Sequence, residues 1–187
     1  MSKIIQGKVF ILEDNIDTDQ IIPTNHLLYS MKDPGQRLNY GKYALSGLPV
    51  EKYKVPFVQD NGASEYSIIV AGKNFGCGSS REQAPASLQI AGVQVVLAQS
   101  YARIFYRNVI DAAFLIPLEL KNLNKNHFLT GDLATVDLET GVITNQINGE
   151  SLYFYPLGDA QYILEAGGIF AYARKKHWIQ NGLTPCI

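Results

Sequence analysis

Cysteine is scarce in this sequence. Only two of the 187 residues are cysteines, Cys77 inside a glycine-rich segment and Cys186 beside the C-terminus. Two thiols cannot build the disulfide framework of a small secreted domain. They also cannot hold an iron–sulfur cluster, which needs three or four thiolates from one chain. The chain is therefore expected to carry no metal site and no cluster of its own.

A long hydrophobic run and an excess of one charge are missing as well. The longest apolar stretch lies around residues 93–98, far short of the roughly 20 residues that span a bilayer. Residues 1–9 lack a charged segment followed by a long apolar one, so we expect no secretory signal and a cytoplasmic protein. The 16 basic and 17 acidic residues nearly cancel, which predicts neither a nucleic-acid nor a membrane partner.

The length and hydrophobic pattern predict one α/β domain over residues 1–187. A strand is expected at 8–12, ending in a polar loop, and further strands at 66–71, 93–98 and 114–118. The helix after the second strand would have Ser80 as its N-cap and Gln83 in the capping box, with Ala84, Leu88 and Ala91 on its apolar face. A second helix is expected at 101–111. Alternating strands and helices indicate a parallel βαβαβ core.

The remaining segments are less regular. Residues 31–56 are rich in Gly, Pro, Asn, Lys and Tyr, which predicts a long, irregular or partly helical excursion of the functional or mobile kind. Short strands at 133–138, 142–146 and 151–155 predict a small antiparallel region, with a hairpin at Asn148-Gly149. A final helical segment from 159 to 178 is interrupted at Gly167-Gly168 and could form two helices end to end.

The segment GKNFGCGSSR, residues 72–81, carries the clearest chemical signal, because it lies between a predicted strand and a helix. Glycines there allow unusual backbone conformations and close approach to a ligand, and helix N–H groups attract anions. Arg81 adds a planar fork that matches a carboxylate. A tight turn without ligand is the alternative. Neither the common phosphate-loop motif nor the dinucleotide-binding motif is present.

Ser79 and Ser80 raise the question of a nucleophile or base. His26, His127 and His177 are the available histidines, and none stands in a recognisable triad pattern. A serine between a glycine-rich turn and a helix could act as a proton-abstracting base, with its alkoxide stabilised by backbone N–H donors.

Three motifs together resemble the small subunits of 3-isopropylmalate dehydratases, in the aconitase superfamily. They are NIDTDQIIP at residues 15–23, NFGCGSSRE at 74–82 and SYARIFYRN at 100–108. Their order and spacing agree with the family, and with the C-terminal glycine-pair segment the resemblance covers most of the chain. It implies a swivelling β/β/α domain of the aconitase C-terminal type, which docks on a separate large subunit carrying a 4Fe-4S cluster.

The resemblance also implies roles for individual residues. Ser79 is expected to be the catalytic base, and Asp17 or Asp19 a catalytic or structural carboxylate. Residues expected to contact the substrate are Gly78, Ser80, Arg81 and Arg103. Cys77 would be a small residue of the turn. The implied reaction is the isomerisation of 2- and 3-isopropylmalate in leucine biosynthesis, by dehydration and rehydration of a small dicarboxylate.

Substrate choice is expected to depend on the loop His26, Leu27, Leu28 and Tyr29. Relatives that handle an extra carboxylate tend to have an arginine there, and an apolar loop suits an isopropyl group, because a buried carboxylate would lack a partner. Homoaconitate, citrate and other methylated malates remain alternative substrates. Relatives commonly have histidine where this chain has Gln83, so either the activity differs or Gln83 is a helix-start residue.

Two readings of other classes stay open. A lone subunit of this type holds half a site, so the chain could be a non-catalytic docking module, although Ser79 and Arg81 argue for catalysis. A serine hydrolase would need a histidine within hydrogen-bond reach of Ser79. When isolated, the subunit could form homo-oligomers, since its docking face would expose apolar surface.

Overall fold

The computed structural model describes residues 3–179, apart from the side chain of residue 125. Seven strands are β1 Ile4–Ile11, β2 Tyr66–Ala71, β3 Val95–Ala98, β4 Ile116–Glu119, β5 Leu133–Asp137, β6 Val142–Asn145 and β7 Ser151–Tyr153. The α-helices are α1 Thr18–Ile21, α2 Pro34–Arg37, α3 Gln83–Ala91, α4 Arg103–Ala112, α5 Ala160–Ala166 and α6 Ile169–Lys175. Short 3-10 helices occupy Thr24–His26, Leu38–Tyr43 and Lys125–His127. Within residues 3–179, no helix is long and apolar enough to cross a membrane.

The strands form one mixed sheet in the order β4-β3-β2-β1-β5-β6-β7. Strands β1 to β4 are parallel, and β1 also pairs antiparallel with β5, which continues into β6 and β7. This confirms the predicted α/β fold, with its parallel core and small antiparallel region. The chain beyond β4 meets the chain around β7, since the Lys121 N–H donates to Tyr153 O and the Tyr155 N–H to Glu119 O. The sheet therefore curls until its two ends meet, which covers its edges.

Each face of the sheet has its own buried cluster, because successive side chains of a buried strand point in opposite directions. Val96 and Ala98 face the helices, where Leu88 of α3 and Val109 of α4 pack. Their neighbours Val95 and Leu97 point into the curl, in a cluster that joins parallel and antiparallel strands. The remaining members of that cluster include Ile5, Val9, Ile68, Leu118, Val136, Ile143 and Leu152.

Element boundaries differ from the prediction at several ends. β1 starts at Ile4 and not at residue 8, and the hydrophilic Gln6-Gly7-Lys8 run lies within the strand because β5 pairs with it there. α4 starts at Arg103, and the predicted strands after residue 92 are each shorter or shifted by one or two residues. The helix break at Gly167-Gly168 is confirmed, because Gly167 ends α5 with a left-handed φ of 86°.

The helix after the glycine-rich segment was predicted wrongly at its start. α3 begins at Gln83 with Glu82 as its N-cap, and no side-chain hydrogen bond caps it. Ser80 is therefore not the N-cap, and the capping box with Gln83 is absent from this helix. The predicted apolar face is confirmed, since Ala84, Leu88 and Ala91 are buried.

Residues 31–56 are partly helical, as predicted, and they belong to the core. Tyr40 is fully buried and Ala44, Leu45 and Leu48 lie in the cluster on the helical face. A Cβ at Gly41 would lie 2.6 Å from Ile90 Cγ2, so the 3-10 helix Leu38–Tyr43 packs directly against α3. The segment between Ala44 and Leu48 is thus part of the packed core.

Candidate active site

The loops that follow the neighbouring strands β1 and β2 are joined by hydrogen bonds. The Lys73 N–H donates to Asp14 Oδ1 at 2.9 Å, and the Gly76 N–H donates to Ile16 O at 2.7 Å. The Thr18 N–H donates to Cys77 O at 2.8 Å. Because the carboxyl ends of parallel strands lie at one edge of the sheet, NIDTDQIIP and GKNFGCGSSR form one structure there.

Two glycines of this turn are required by backbone geometry. Gly76 and Gly78 have φ values of 77° and 96°, in the region that favours glycine. A Cβ on Gly76 would lie 2.2 Å from Phe105 Cγ of α4, and one on Gly78 would lie 3.1 Å from Thr18 Oγ1. The close approach predicted for a ligand is therefore made to the protein itself, which brings α4 and α1 against the turn.

Ser79 lies at the end of this turn and contacts Thr18. Its Oγ is 3.1 Å from Thr18 Oγ1, and its N–H donates to the same oxygen at 3.2 Å. Thr18 is only 1% exposed, whereas Ser79 and the adjacent Ser80 are exposed. Of these two exposed serines, Ser79 contacts the buried Thr18.

Arg81 forms an ion pair with Asp19 on the same edge. Its NH1 and NH2 donate to Asp19 Oδ1 and Oδ2 at 2.7 and 2.9 Å, and also to Ile22 O and Thr24 Oγ1. The Arg81 side chain is 15% exposed and that of Asp19 59%. Hydrogen bonds from Arg81 and Thr24 lower the pKa of Asp19 below its ordinary value, so the carboxylate is charged at neutral pH.

Asp17 has a different task from Asp19. Its Oδ1 accepts from the Gln20 N–H at 2.7 Å, and its own N–H donates to Gln20 Oε1 at 3.0 Å. This is a capping box at the start of α1. Asp17 therefore fixes the turn that carries Thr18, while Asp19 reaches the guanidinium of Arg81.

An open cleft of about 850 Å³ borders the turn. Gly78 and Ser79 form one side, and Arg103, Ile104 and Tyr106 of the start of α4 form another. Arg103 is exposed as the first residue of α4. The structure brings Gly78, Ser79 and Arg103 to this cleft, whereas the Arg81–Asp19 pair lies outside its lining.

Most of the predicted specificity loop is fixed in place. His26 stacks on Tyr43 with ring centroids 3.8 Å apart, Leu27 packs on the core, and Tyr29 packs edge-on against Tyr40. Leu28 differs, because 81% of it is exposed. Leu28 is thus the residue of this loop that is free to meet a bound molecule.

Gln83 lies near a residue of the excursion. Burial raises the pKa of the Tyr40 hydroxyl, and the nearby Gln83 side chain acts in the opposite direction. That hydroxyl donates to Tyr29 O at 2.6 Å. The start of α3 is thereby close to the loop that ends at Tyr29. No local pattern predicts this proximity, because Gln83 and Tyr40 are 43 positions apart in the chain.

The histidines and cysteines complete the chemical inventory. Among residues 3–179, no hydrogen bond joins a histidine to Ser79, since His26 stacks on Tyr43 and His127 contacts Asn124. The described residues contain no group of three or more His, Cys, Asp or Glu that could hold a metal. Burial, and then the charge of Asp17, raise the pKa of the Cys77 thiol, so the free side chain is a thiol at neutral pH. Cys186 lies outside the described residues.

Comparison with known proteins gives consistent results. A family model described as the aconitase C-terminal domain matches residues 12–123. A "3-isopropylmalate dehydratase small subunit 1" of Arabidopsis thaliana is 47% identical over 182 residues, which are 96% of this chain and 72% of that protein. An "Isopropylmalate/citramalate isomerase small subunit" of Methanocaldococcus jannaschii is 40% identical over 94% of this chain and 97% of its own length. A crystal structure of 3-isopropylmalate dehydratase from the same archaeon superposes with a TM-score of 0.75 at 35% identity, covering 95% of this chain and 97% of that one.

Proposed function

Since the chain belongs to the aconitase C-terminal domain family, among relatives that are 3-isopropylmalate dehydratase small subunits, we propose that it isomerises isopropylmalate together with a large subunit. The observation that carries the proposal is the placement of Ser79. Its exposed hydroxyl sits on a glycine-enforced turn, borders an open cleft and rests on the buried Thr18. The assignment to isopropylmalate is also supported by relatives that are 40–47% identical over more than nine-tenths of this chain.

In the proposed reaction Ser79 acts as the base. A proton leaves carbon 3 of 2-isopropylmalate for Ser79 Oγ, and the hydroxyl leaves carbon 2, which gives an unsaturated intermediate. Water then returns with its hydroxyl on carbon 3 and its proton on carbon 2. Removing a proton beside a carboxylate is difficult, so the substrate must be held rigidly while the base approaches.

The carboxylates of the substrate are assigned to the cations and donors around the turn. Arg81 has a planar fork, but in the free chain its NH1 and NH2 already donate to Asp19, Ile22 O and Thr24, so a substrate carboxylate would replace one of these acceptors. Gly78, Ser80 and the exposed Arg103 complete the proposed contacts. Of the two carboxylates, we assign Asp19 to the orientation of Arg81 and Asp17 to the support of α1, because the capping box occupies Asp17.

The 4Fe-4S cluster is assigned to the large subunit. The described part of this chain has one cysteine, whose pKa is raised, and no cluster of metal-ligating residues. When bound on the partner, the cluster would supply Lewis-acid assistance to the loss of the substrate hydroxyl. The small subunit's share is the base, the carboxylate contacts and the substrate's side-chain pocket.

Isopropylmalate is favoured over a tricarboxylate by the apolar character of the exposed Leu28. If the assembled enzyme encloses the substrate at this loop, a third carboxylate buried there without a cation would cost several kcal/mol. Citramalate is a second candidate substrate, because the relative from Methanocaldococcus jannaschii, of nearly equal length, is named for both malates. Its methyl group would fit the same apolar contact.

The test is to assemble the chain with its large subunit without oxygen and follow the unsaturated intermediate by absorbance. Isopropylmalate, citramalate, citrate and homocitrate are offered in turn, with Ser79→Ala as the control. Turnover of the branched malates that is lost in Ser79→Ala supports the proposal. Preference for citrate or homocitrate overturns the substrate assignment, and undiminished turnover by Ser79→Ala overturns the base. If the chain binds the large subunit but the complex converts none of these substrates, the chain is a docking module.

A further inference from the structure

Thr18 is a buried hydroxyl directly behind the exposed Ser79. The side chain is 1% exposed and lies between the two loops at the carboxyl edge of the sheet. Its backbone is fixed on both sides, because its N–H donates to Cys77 O at 2.8 Å and its carbonyl accepts from the Ile22 N–H at 2.9 Å. The Asp17 capping box further fixes the first turn of α1. Thr18 Oγ1 is therefore held at a defined position relative to Ser79.

The hydrogen bonds at Thr18 define the direction of the contact. The Ser79 N–H donates to Thr18 Oγ1 at 3.2 Å, so that oxygen already serves as an acceptor. The two hydroxyl oxygens are 3.1 Å apart, and either can be the donor while both carry protons. Once Ser79 has lost its proton, only Thr18 can donate, because an alkoxide has no hydrogen to give.

We propose that Thr18 is the positioning residue of the base, donating its hydroxyl hydrogen to the Ser79 oxyanion while accepting the Ser79 N–H. This inference rests on the proposed function, in which Ser79 is the base. The proton lost by Ser79 leaves to solvent through the open cleft, and the proton of the substrate carbon later restores the Ser79 hydroxyl. Thr18 keeps its own proton throughout, so it acts only through Ser79.

The surroundings make Thr18 well suited to this task. A hydrogen bond to a charged oxygen is about twice as strong as one between neutral groups. Such a donor is most effective when it is shielded from water and already in place, because no reorganisation is then needed. Gly78 allows the turn to approach Thr18, because a Cβ at that position would crowd Thr18 Oγ1 at 3.1 Å.

The test compares Thr18→Val, which keeps the shape without the hydroxyl, with Thr18→Ser, which keeps the hydroxyl. Both are assembled with the large subunit, and kcat, KM and the pH–rate profile are measured for isopropylmalate. We expect Thr18→Val to lose roughly 10²–10³-fold in kcat, the usual loss for one oxyanion donor, with KM nearly unchanged. The acidic limb of its profile should move to higher pH, and Thr18→Ser should recover most of the activity.

A double variant separates this role from a structural one. In a Ser79→Ala background Thr18→Val should cause no further loss, because residues that act as a unit are not additive. Equal losses in Thr18→Val and Thr18→Ser, or an unshifted pH profile, would overturn the inference. If Thr18→Val fails to assemble, Thr18→Ala replaces it in the same comparison. An active wild-type complex that Ser79→Ala leaves active would instead refute the base itself, which is a failure of the proposed function.

Discussion

Arg81 is occupied in the free chain, and its partner Asp19 fixes the plane of its guanidinium. The pKa of Asp19 is lowered first by the hydrogen bond from Arg81 and then by that from Thr24. A carboxylate with a lowered pKa contributes stability above its unfolded-state pKa and loses that contribution as the pH falls through the folded pKa. The pair is therefore intact at neutral pH and breaks only in acid below the ordinary range of an aspartate.

Exchanging each neighbouring carboxylate for its amide separates their roles. We expect Asp19→Asn to lower kcat/KM of the assembled enzyme roughly tenfold, which corresponds to about 1.4 kcal/mol of orientation at Arg81. Asp17→Asn is the matched control, because asparagine caps a helix as well as aspartate does and should leave activity nearly unchanged. Steady-state kinetics with isopropylmalate at neutral pH provide the measurement. A larger loss in Asp17→Asn would reverse the two assignments.

The contacts of these residues could not be read from the sequence. Arg81 and Asp19 are 62 positions apart, and their meeting depends on β1 and β2 lying side by side in the sheet. Candidate residue types were predictable, because a glycine-rich turn, serines and an arginine after a buried strand indicate an anion site. Thr18 was missed, since a threonine inside an acidic loop carries no signal until the loop is placed behind Ser79.

At the scale of elements, the excursion between β1 and β2 packs against α3. Arg37 NH2 donates to Gln89 Oε1 of α3 at 3.1 Å, and the fully buried Tyr40 donates its hydroxyl hydrogen to Tyr29 O within the excursion. Its irregular sequence predicted a functional or mobile segment, but local propensity cannot show that Gly41 packs against Ile90. Likewise the true start of α3 at Gln83 depends on tertiary contacts that Ser80 alone does not reveal.

Removing one hydroxyl tests the hydrogen bond from Tyr40 to Tyr29 O. Tyr40→Phe keeps the ring in the core but leaves the part-buried Tyr29 O without this donor, and an unsatisfied buried group costs about 1–3 kcal/mol. We expect a lower melting temperature and a higher KM for isopropylmalate, with kcat retained because Ser79 is untouched. Tyr162→Phe is the control, since Tyr162 is 57% exposed. Unchanged stability and KM in Tyr40→Phe would show that this hydrogen bond has no role.

The loop at residues 26–29 is expected to determine which substrate the enzyme prefers. Leu28 is exposed while His26, Leu27 and Tyr29 are anchored, so a substitution at Leu28 should change the proposed substrate contact without disturbing the fold. Leu28→Arg is expected to raise the kcat/KM ratio of citrate to isopropylmalate by about tenfold, through roughly 1.4 kcal/mol of added charge pairing. Leu38→Arg, at a position 64% exposed at the start of the 3-10 helix Leu38–Tyr43, should leave the ratio unchanged. Equal ratios in both variants would place the specificity contact elsewhere.

At the scale of the whole molecule, the alternation of strands and helices predicted the parallel half and the turn residues predicted the antiparallel half. How the two halves join was not predictable, because it depends on β1 pairing with β2 on one side and β5 on the other. The hydrogen bonds that close the sheet, between the segments after β4 and after β7, also join residues far apart in the sequence. One buried cluster consequently draws side chains from both halves, as Val95 and Leu97 meet Val136 and Ile143.

This shared cluster predicts that residues of both halves unfold together. Ile143→Ala truncates a fully buried side chain in β6, and such changes cost roughly 2–5 kcal/mol. The Cys77 thiol, in the turn after β2, serves as the reporter in a Cys186→Ser background, because burial and the charge of Asp17 raise its pKa and slow its reaction with thiol reagents. We expect the denaturant midpoint for exposure of Cys77 to fall as far as the midpoint for loss of β-sheet circular dichroism. Ile147→Ala, in the exposed β6–β7 turn, should shift neither. If Ile143→Ala moved the circular dichroism midpoint and left that of Cys77 in place, the parallel and antiparallel halves would be separate folding units.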